Sequence, residues 1–156
     1  HELDINLQSA DILEGCGTYD DPFQITSGAQ LATVAAFISQ LDPTISELAD
    51  IKTAVSEAVT NCIVHAYKNK IGYIYITTKI FENGKVNIKI RDKGCGIDDI
   101  DKAMEPLFTT GGEERAGLGF AVMQSFMDKI KVQSKLNKGT TITMEKSIIP
   151  RKSNNG

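Results

Sequence analysis

The 156-residue sequence lacks the features that mark several large classes of protein. No run of apolar residues approaches the ~20 that a membrane-spanning helix requires, and the first residues show no signal-peptide pattern, so we expect a cytoplasmic protein without a membrane partner. Basic residues do not exceed acidic ones (17 against 20, net charge −3), which argues against a nucleic-acid-binding surface. The three cysteines, Cys16, Cys62 and Cys95, suit neither a disulfide framework nor a four-ligand zinc site, and indicate reduced thiols.

The length of the chain allows one domain with a sizeable core. A first helix is predicted over Gln30–Gln40, and it ends before Pro43 because proline disfavours helical geometry in the residue that precedes it. Thr44 and Glu47 have the spacing of a capping box, so a second helix should begin there and run to about Tyr67. Two helices therefore precede the first predicted strand.

Four strands are predicted in two hairpins: Tyr73–Ile80 with Lys85–Ile90, and Lys131–Lys135 with Thr140–Lys146. The pair Asn83-Gly84 in the first loop favours a type I′ turn. Between the hairpins, a short helix should end near Pro106, and a longer helix should follow Gly119. Antiparallel strands with segregated helices indicate an α+β fold, a two-layer sandwich with the helices on one face of the sheet.

The second predicted helix places Glu57, Asn61 and His65 on one face, since each is four residues from the next. The opposite face is apolar and should pack on the sheet: Ile51, Val55, Ala58, Val59, Cys62 and Ile63. Any amphipathic helix has a polar face, but asparagine is a weak helix former in the interior. Its amide oxygen is a good ligand for Mg²⁺, and a carboxylate one turn away can accept a proton or order a water on that ion.

A glycine-rich segment, Asp92-x-Gly94-x-Gly96, directly follows a predicted strand. An aspartate at a strand end can accept a hydrogen bond from an exocyclic amine such as N6 of adenine, and glycines let the backbone pass close to a flat ring. A simple turn uses the same residue types. The segment alone therefore leaves a nucleotide site and a turn as alternatives.

Gly117-Leu118-Gly119 stands immediately before a predicted helix. Backbone amides at a helix N-terminus suit a phosphate chain. The sequence contains no G-x-x-x-x-G-K-[ST] motif, which excludes a Walker loop, and the segment that precedes the glycines is not a strand, which excludes the dinucleotide fingerprint.

Thr109, Thr110 and Arg115 lie in the segment just before these glycines. If that segment closes over a triphosphate, Arg115 could stabilise charge that develops on the γ-phosphoryl group, whereas a solvated surface arginine is the alternative. Thr140 opens the last strand, where β propensity explains a threonine equally well.

The order of these four elements resembles the N, G1, G2 and G3 boxes of the Bergerat-fold ATPases, the superfamily of gyrase B, Hsp90, histidine kinases and MutL. Within that superfamily, residues 33 to 67 and 104 to 127 are similar to the anti-sigma-F family of spore-forming Firmicutes. The similarity covers roughly residues 31 to 147.

The resemblance implies a role for each matching position. Glu57 would be the catalytic base, Arg115 would contact the γ-phosphate, and Asn61 would hold Mg²⁺. The positions that would bind ATP are Asn61 with the metal, Asp92, Gly94, Gly96 and Thr140 around adenine, Thr109 and Thr110 in the lid, and Gly117, Leu118 and Gly119 at the phosphates.

The function that the resemblance implies is an ATP-dependent protein-serine kinase that is also an anti-sigma factor. Family members are homodimers that bind a sigma factor in one state and phosphorylate an anti-anti-sigma protein in another. The alternative is a sigma-binding module that depends on nucleotide but does not turn it over. A histidine-kinase fragment would need a long helix around a phosphoacceptor histidine, and none surrounds His1.

The chain departs from the family's pattern in two places. Residues 1 to 28 do not resemble the family's opening strand, which contributes to its dimer, and are similar instead to a Gly-Thr-Asp-Pro opening of some bacterial surface repeats. Leu31 aligns with an arginine that contacts partner proteins in the family. We therefore expect an atypical segment over 1–28, the ATPase domain over 29–148 and a disordered tail over 149–156.

Overall fold

A computed structural model describes residues 2–3, 23–25, 36, 38–68, 72–81, 83–105 and 116–149. The strands, in chain order, are β1 (Glu2–Leu3), β2 (Phe23–Ile25), β3 (Ile74–Phe81), β4 (Lys85–Arg91), β5 (Lys129–Lys135) and β6 (Gly139–Ser147). The helices are α1 (Ile45–Asn61), α2 (Ile100–Met104) and α3 (Ala116–Phe126), with a 3-10 turn at Ser39–Leu41 and a π-helical turn at Cys62–Ala66. The part of the chain that is described contains no helix long and apolar enough to cross a membrane.

The sheet is antiparallel, and its four long strands follow the order β3-β4-β6-β5. β1 and β2 both pair with β3, along the edge that β4 leaves open. Side chains of the long strands alternate between buried and more exposed positions, so one face of the sheet carries the core. The predicted α+β fold and both predicted hairpins are confirmed.

The loop of the first hairpin differs from the predicted type I′ turn. Phe81 and Lys85 belong to the strands, so the loop has three residues and not two. The Gly84 N–H donates to the Phe81 carbonyl at 2.9 Å, and Gly84 has a φ of 79°. These features describe a tight turn that closes on a left-handed glycine bulge, the next most common way to join two strands.

Helix α1 begins at the predicted capping box. The Glu47 N–H donates to Thr44 Oγ1 at 3.0 Å, and the Thr44 N–H donates to Glu47 Oε2 at 2.7 Å. Each side chain thus satisfies an N–H group that the first turn of a helix leaves without a partner. The start of the helix was therefore readable from local sequence.

The end of α1 was not readable from local sequence. After Asn61 the chain continues as a π-helical turn, which winds more residues per turn than an α-helix and shifts the side chains that follow. The predicted apolar face is buried from Ile51 to Cys62, but Ile63 is 59% exposed, so its predicted packing on the sheet is wrong.

The core lies between the sheet and the helices α1 and α3. Its largest fully buried side chains come from every layer of the domain: Ile38, Ile51, Ile76, Val86, Ile88, Ile90, Met123, Met144 and Ile148. Lys146 on β6 ties the layers together, since its Nζ donates to Asp50 Oδ2 on α1 at 3.1 Å and to the Phe126 carbonyl at the end of α3 at 2.7 Å. A cation at that carbonyl also compensates the negative end of the α3 dipole.

Several predicted segments fall outside the described residues. Most of the helix predicted over Gln30–Gln40, the lid residues before Ala116 and nearly all of the predicted tail belong to them. The longer helix begins at Ala116, so Gly117 and Gly119 lie in its first turns and do not precede it as predicted.

Candidate functional site

A cavity of about 260 Å³ opens between the end of α1, the helices α2 and α3, and the sheet. Its size is near the lower end of the range for small-molecule sites, roughly 300–1,000 Å³. Its wall is mainly apolar and comes from six parts of the fold: Asn61, Cys62, His65, Ala66, Asp92, Gly96, Ile97, Asp99, Lys102, Ala103, Phe120, Thr140 and Ile142. A mostly apolar wall with a few converging polar groups is typical of a small-molecule site.

Asp92 lies at the sheet side of this cavity and is only 3% exposed. Its Oδ1 accepts hydrogen bonds from the N–H groups of Gly94, at 2.9 Å, and Thr140, at 3.2 Å. Its Oδ2 has one close donor, the Cys62 thiol at 3.5 Å. One carboxylate oxygen is thus used by the fold, while the other retains the capacity to accept a further hydrogen bond.

Cys62 forms part of the cavity wall and is 3% exposed. Burial raises the pKa of its thiol well above the ordinary range, and the nearby Asp92 carboxylate raises it further. The thiol therefore stays protonated at neutral pH and serves Asp92 as a weak hydrogen-bond donor.

Gly94 and Gly96 have different surroundings, although the sequence groups them. A Cβ atom at Gly94 would lie 2.4 Å from the Ala66 carbonyl oxygen, and the Cys95 N–H donates to that same oxygen at 3.0 Å. The glycine at 94 therefore lets the loop dock on the π-helical turn. Gly96 borders the cavity itself, and Gly94 does not.

Glu57, Asn61 and Gly119 meet where α1 and α3 face each other. A Cβ atom at Gly119 would lie 3.2 Å from both Asn61 side-chain amide atoms and 3.4 Å from Glu57 Oε2. The Asn61 Nδ2 atom is buried and has no hydrogen-bond partner among the described residues. An unsatisfied buried amide is uncommon and points to a partner that a ligand would supply.

These two side chains fit a magnesium site of the kind that protein–nucleotide complexes use. Mg²⁺ takes one or two protein oxygen ligands and completes its shell with water and substrate phosphates. Asn61 offers one such oxygen, and Glu57 adds a carboxylate one turn away. In the described ranges, no group of three or more His, Cys, Asp and Glu side chains is placed to hold a metal ion.

Thr140 is 7% exposed, borders the cavity and belongs to a hydroxyl pair that the sequence did not reveal. Its Oγ1 lies 2.8 Å from Ser134 Oγ on the neighbouring strand. Ser134 Oγ also accepts from the Ile97 N–H at 2.7 Å, and so joins β5 and β6 to the loop that follows β4.

Other predicted residues lie at the edge of this arrangement or beyond the described part of the chain. Leu118 is 47% exposed in the first turn of α3, where N–H groups have no acceptor within the helix, and Gly117 shares that turn. Thr109, Thr110 and Arg115 are not among the described residues. His65, predicted on the polar face of the helix, borders the cavity.

Sequence patterns missed the apolar part of the wall. Ile97, Ala103, Phe120 and Ile142 carry no motif, because an apolar residue looks the same in a strand or helix whether it borders the core or a cavity.

Comparison with known proteins agrees with this geometry. The family model described as a histidine kinase-like ATPase domain matches residues 25–146. The anti-sigma F factor of Caldanaerobacter subterraneus subsp. tengcongensis is 63% identical over 116 residues, which cover 74% of this chain and 80% of that protein. The anti-sigma F factor of Geobacillus thermodenitrificans is 53% identical over 121 residues, which cover 77% and 83%.

Solved structures agree on the fold. The catalytic domain of the histidine kinase ThkA superposes with a TM-score of 0.52 at 24% identity, covering 66% of this chain and 68% of that one. The blue-light activated histidine kinase of Erythrobacter litoralis gives 0.55 at 17% identity, and the match spans 78% of this chain and 41% of that longer one. Since the family model covers most of the sequence and the relatives share more than half of the aligned positions, the chain belongs to the anti-sigma F factor family, within the histidine kinase-like ATPases.

Proposed function

We propose that this protein is an ATP-dependent protein-serine kinase that also acts as an anti-sigma factor. The observation that carries the proposal is the arrangement of one cavity. A buried carboxylate, Asp92, stands at one side, and the unsatisfied Asn61 amide, next to Glu57 and Gly119, stands near another. A nucleotide has matching chemistry, with an amino-bearing base at one end and phosphates at the other.

The base would bind against Asp92. Its Oδ2 accepts from the N6 amine of adenine, while Oδ1 remains bonded to the Gly94 and Thr140 N–H groups. The apolar wall, including Ile97 and Phe120, would cover the faces of the ring and exclude water. Gly96 and Thr140 belong to the same end of the site.

The phosphates would bind toward the start of α3. The N–H groups of Gly117 and Leu118 lie in the first turn, and Gly119 leaves room beside Asn61. Asn61 would hold Mg²⁺ through its amide oxygen, and the ion would supply positive charge to the phosphates of the nucleotide. Thr109, Thr110 and Arg115 are proposed to form the lid, with Arg115 on the γ-phosphate.

Glu57 is proposed as the general base. Its Oε2 faces the space beside Gly119, next to Asn61. From there it could accept the proton of a substrate serine hydroxyl as that oxygen attacks phosphorus. A module that only bound nucleotide would need no base at this position.

The partners follow from the relatives, which are named anti-sigma F factors. We propose a sigma factor as the bound partner and an anti-anti-sigma protein as the phosphoacceptor, with the kinase as a cytoplasmic homodimer. Residues 1–28 and Leu31 depart from the family's pattern at positions that contribute to the dimer and to partner contacts. The strength of partner binding and of dimerisation should therefore be measured.

The decisive experiment follows transfer of labelled phosphate from ATP·Mg²⁺ to the anti-anti-sigma protein of the same organism. Glu57→Gln should lower the transfer rate by about 10²–10⁴-fold, the range for loss of a general base, and leave ATP affinity nearly unchanged. Asp98→Asn, which removes an exposed carboxylate outside the cavity wall, is the matched control. Phosphate transfer by Glu57→Gln at the wild-type rate would exclude this mechanism. ATP binding with sigma binding but no transfer would favour the nucleotide-dependent binding module.

A further inference from the structure

The hydroxyl pair of Ser134 and Thr140 adds a feature to the base end of the cavity. Thr140 borders the cavity and Ser134 does not, so Ser134 stands behind Thr140 as seen from a bound ligand. Their oxygen atoms are 2.8 Å apart, and either hydroxyl could donate to the other. The other partners of Ser134 decide which one does.

Ser134 Oγ has three polar neighbours, and a serine hydroxyl offers one donor and two acceptor positions. The Ile97 N–H donates to it at 2.7 Å, and the Gly139 carbonyl, which can only accept, lies 3.2 Å away. If the Ser134 proton goes to Gly139, the two lone pairs receive the Ile97 N–H and the Thr140 hydroxyl. All three positions of Ser134 are then filled.

This arrangement would set the chemistry that Thr140 presents. Its hydroxyl proton would go to Ser134, so Thr140 Oγ1 would keep only lone pairs for a ligand. Asp92 beside it is an acceptor as well, since a carboxylate has no proton to give. The base end of the cavity is therefore lined by two acceptors.

We infer that Ser134 is a positioning residue that makes Thr140 a hydrogen-bond acceptor, so that this end of the cavity selects a base with an exocyclic amino group over one with a carbonyl in the same place. The inference rests on the proposed ATP function and names the residue that sharpens base selection. A 6-oxo purine would bring an acceptor oxygen against two acceptors, and buried groups without a partner are costly.

The test compares the affinities of the full chain for ATP and for inosine triphosphate, which has a carbonyl oxygen where ATP has the amine. In wild type, ATP should bind more tightly. In Ser134→Ala the Thr140 proton is released and can rotate to donate to that oxygen, so the ATP-to-inosine-triphosphate affinity ratio should fall about tenfold, the effect of one ordinary hydrogen bond. Ser134→Thr keeps a hydroxyl at 134 and should restore the ratio.

A double-mutant cycle separates positioning from packing. If Ser134 acts through Thr140, Ser134→Ala should cause no further change of the ratio in a Thr140→Val background. Equal weakening of both nucleotides by Ser134→Ala would assign Ser134 to packing alone and overturn the inference. If Ser134→Ala does not fold by circular dichroism, Thr140→Val alone decides, since an unchanged ratio there contradicts an acceptor role.

Failure of the proposed function has a different signature. A wild-type protein that binds neither nucleotide removes the ATP proposal and this inference together. A wild type that binds both with equal affinity leaves the ATP proposal intact and overturns the selection by Ser134 and Thr140.

Discussion

Asp92 and Thr140 are joined by two hydrogen bonds that hold the floor of the cavity in place. The Asp92 N–H donates to the Thr140 carbonyl at 2.9 Å, and the Thr140 N–H donates to Asp92 Oδ1 at 3.2 Å. The first bond continues the pairing of β4 with β6 beyond the last residue of β4. The second ties the carboxylate to the neighbouring strand, so its position is set by the sheet and not by the loop alone.

Asp92→Asn should therefore weaken base recognition while it preserves the fold. Because Oδ1 accepts from two N–H groups, the amide oxygen must stay there, and the new NH₂ group replaces Oδ2. That NH₂ group, the Cys62 thiol and the amine of a ligand are all hydrogen-bond donors, so the variant loses the hydrogen bonds that Oδ2 accepts. We expect the free energy of ATP binding to become less favourable by ~2 kcal/mol or more, which is the cost of leaving buried donors without partners.

Calorimetric titration with ATP and ADP checks this, with circular dichroism to verify folding. The control is Asp101→Asn, on an exposed side chain of α2, which should bind as wild type. Undiminished ATP binding by Asp92→Asn would remove Asp92 from base recognition.

Gly119→Ala should weaken nucleotide binding without lowering the stability of the fold. Alanine is the better helix former by about 1 kcal/mol, so the free energy of unfolding should be unchanged or higher. The new methyl group would stand 3.2 Å from the Asn61 amide, which must shift slightly, and 3.4 Å from Glu57 Oε2, which is an ordinary contact. ATP·Mg²⁺ should then bind about tenfold more weakly, equivalent to ~1.4 kcal/mol.

Urea unfolding and ATP titration on the same samples measure both effects. Ser125→Ala, at an exposed position farther along α3, is the control for a helix-surface change. Wild-type affinity in Gly119→Ala would show that this space is not used by the nucleotide.

Cys62 should make the fold sensitive to alkaline pH. Burial, and then Asp92, raises the pKa of its folded-state thiol above the ordinary value of 9.0. The folded state thus holds a proton that the unfolded state releases, so the stability contribution is complete below pH 9.0 and is lost as pH rises above it. In wild type, the Cys62 thiol should lower the free energy of unfolding by more than about 1 kcal/mol as the pH rises from about 8 to about 10.5.

Urea unfolding of wild type and Cys62→Ala at the two pH values isolates the effect. The alanine variant is less stable at the lower pH, because a cavity replaces the thiol, but it should lose less with rising pH. Parallel slopes for wild type and Cys62→Ala would contradict the prediction.

Thr78→Val should stabilise the protein. Thr78 is buried on the core face of β3, opposite Ile88, and its hydroxyl has no hydrogen-bond partner among the described residues. Valine has nearly the same shape and no polar atom, so we expect a gain of about 1 kcal/mol and a rise in Tm of about 2–4 °C. Thr77→Val, on the other face of the same strand, should change Tm little, and a lower Tm for Thr78→Val would mean that the hydroxyl has a partner in solution.

Local signals in the sequence predicted much of the fold. The capping box at Thr44 and Glu47 marked the start of α1, because both partners of its hydrogen bonds lie within one turn. The β-rich run Lys85–Ile90 marked a strand, and the structure shows that strand with one buried face. The type I′ turn was wrong because turn residues such as Asn83 and Gly84 are shared by loops of different length.

Sequence motifs predicted some residues of the candidate site and missed others. The motifs carrying Glu57, Asn61, Asp92 and Gly96 were found because their residue types are unusual in a helix or after a strand, and the structure brings them to one cavity or its margin. Ser134 was missed because a serine in a strand has no pattern of its own. Its importance comes from contacts with Ile97 and Thr140, which pairing between strands and a loop creates.

The sequence by itself determined the elements and the order of the chemical groups, since these depend on interactions between residues a few positions apart. Tertiary structure alone decided that the Cys62 thiol contacts Asp92, a residue 30 positions away, and that Ile63 is exposed beside the π-helical turn, because no local pattern encodes either. It also decided that Gly94 serves the docking of a loop on Ala66 while Gly96 borders the cavity. The physical reason is that burial and hydrogen-bond partners are set by elements far apart in the chain, and only packing brings those together.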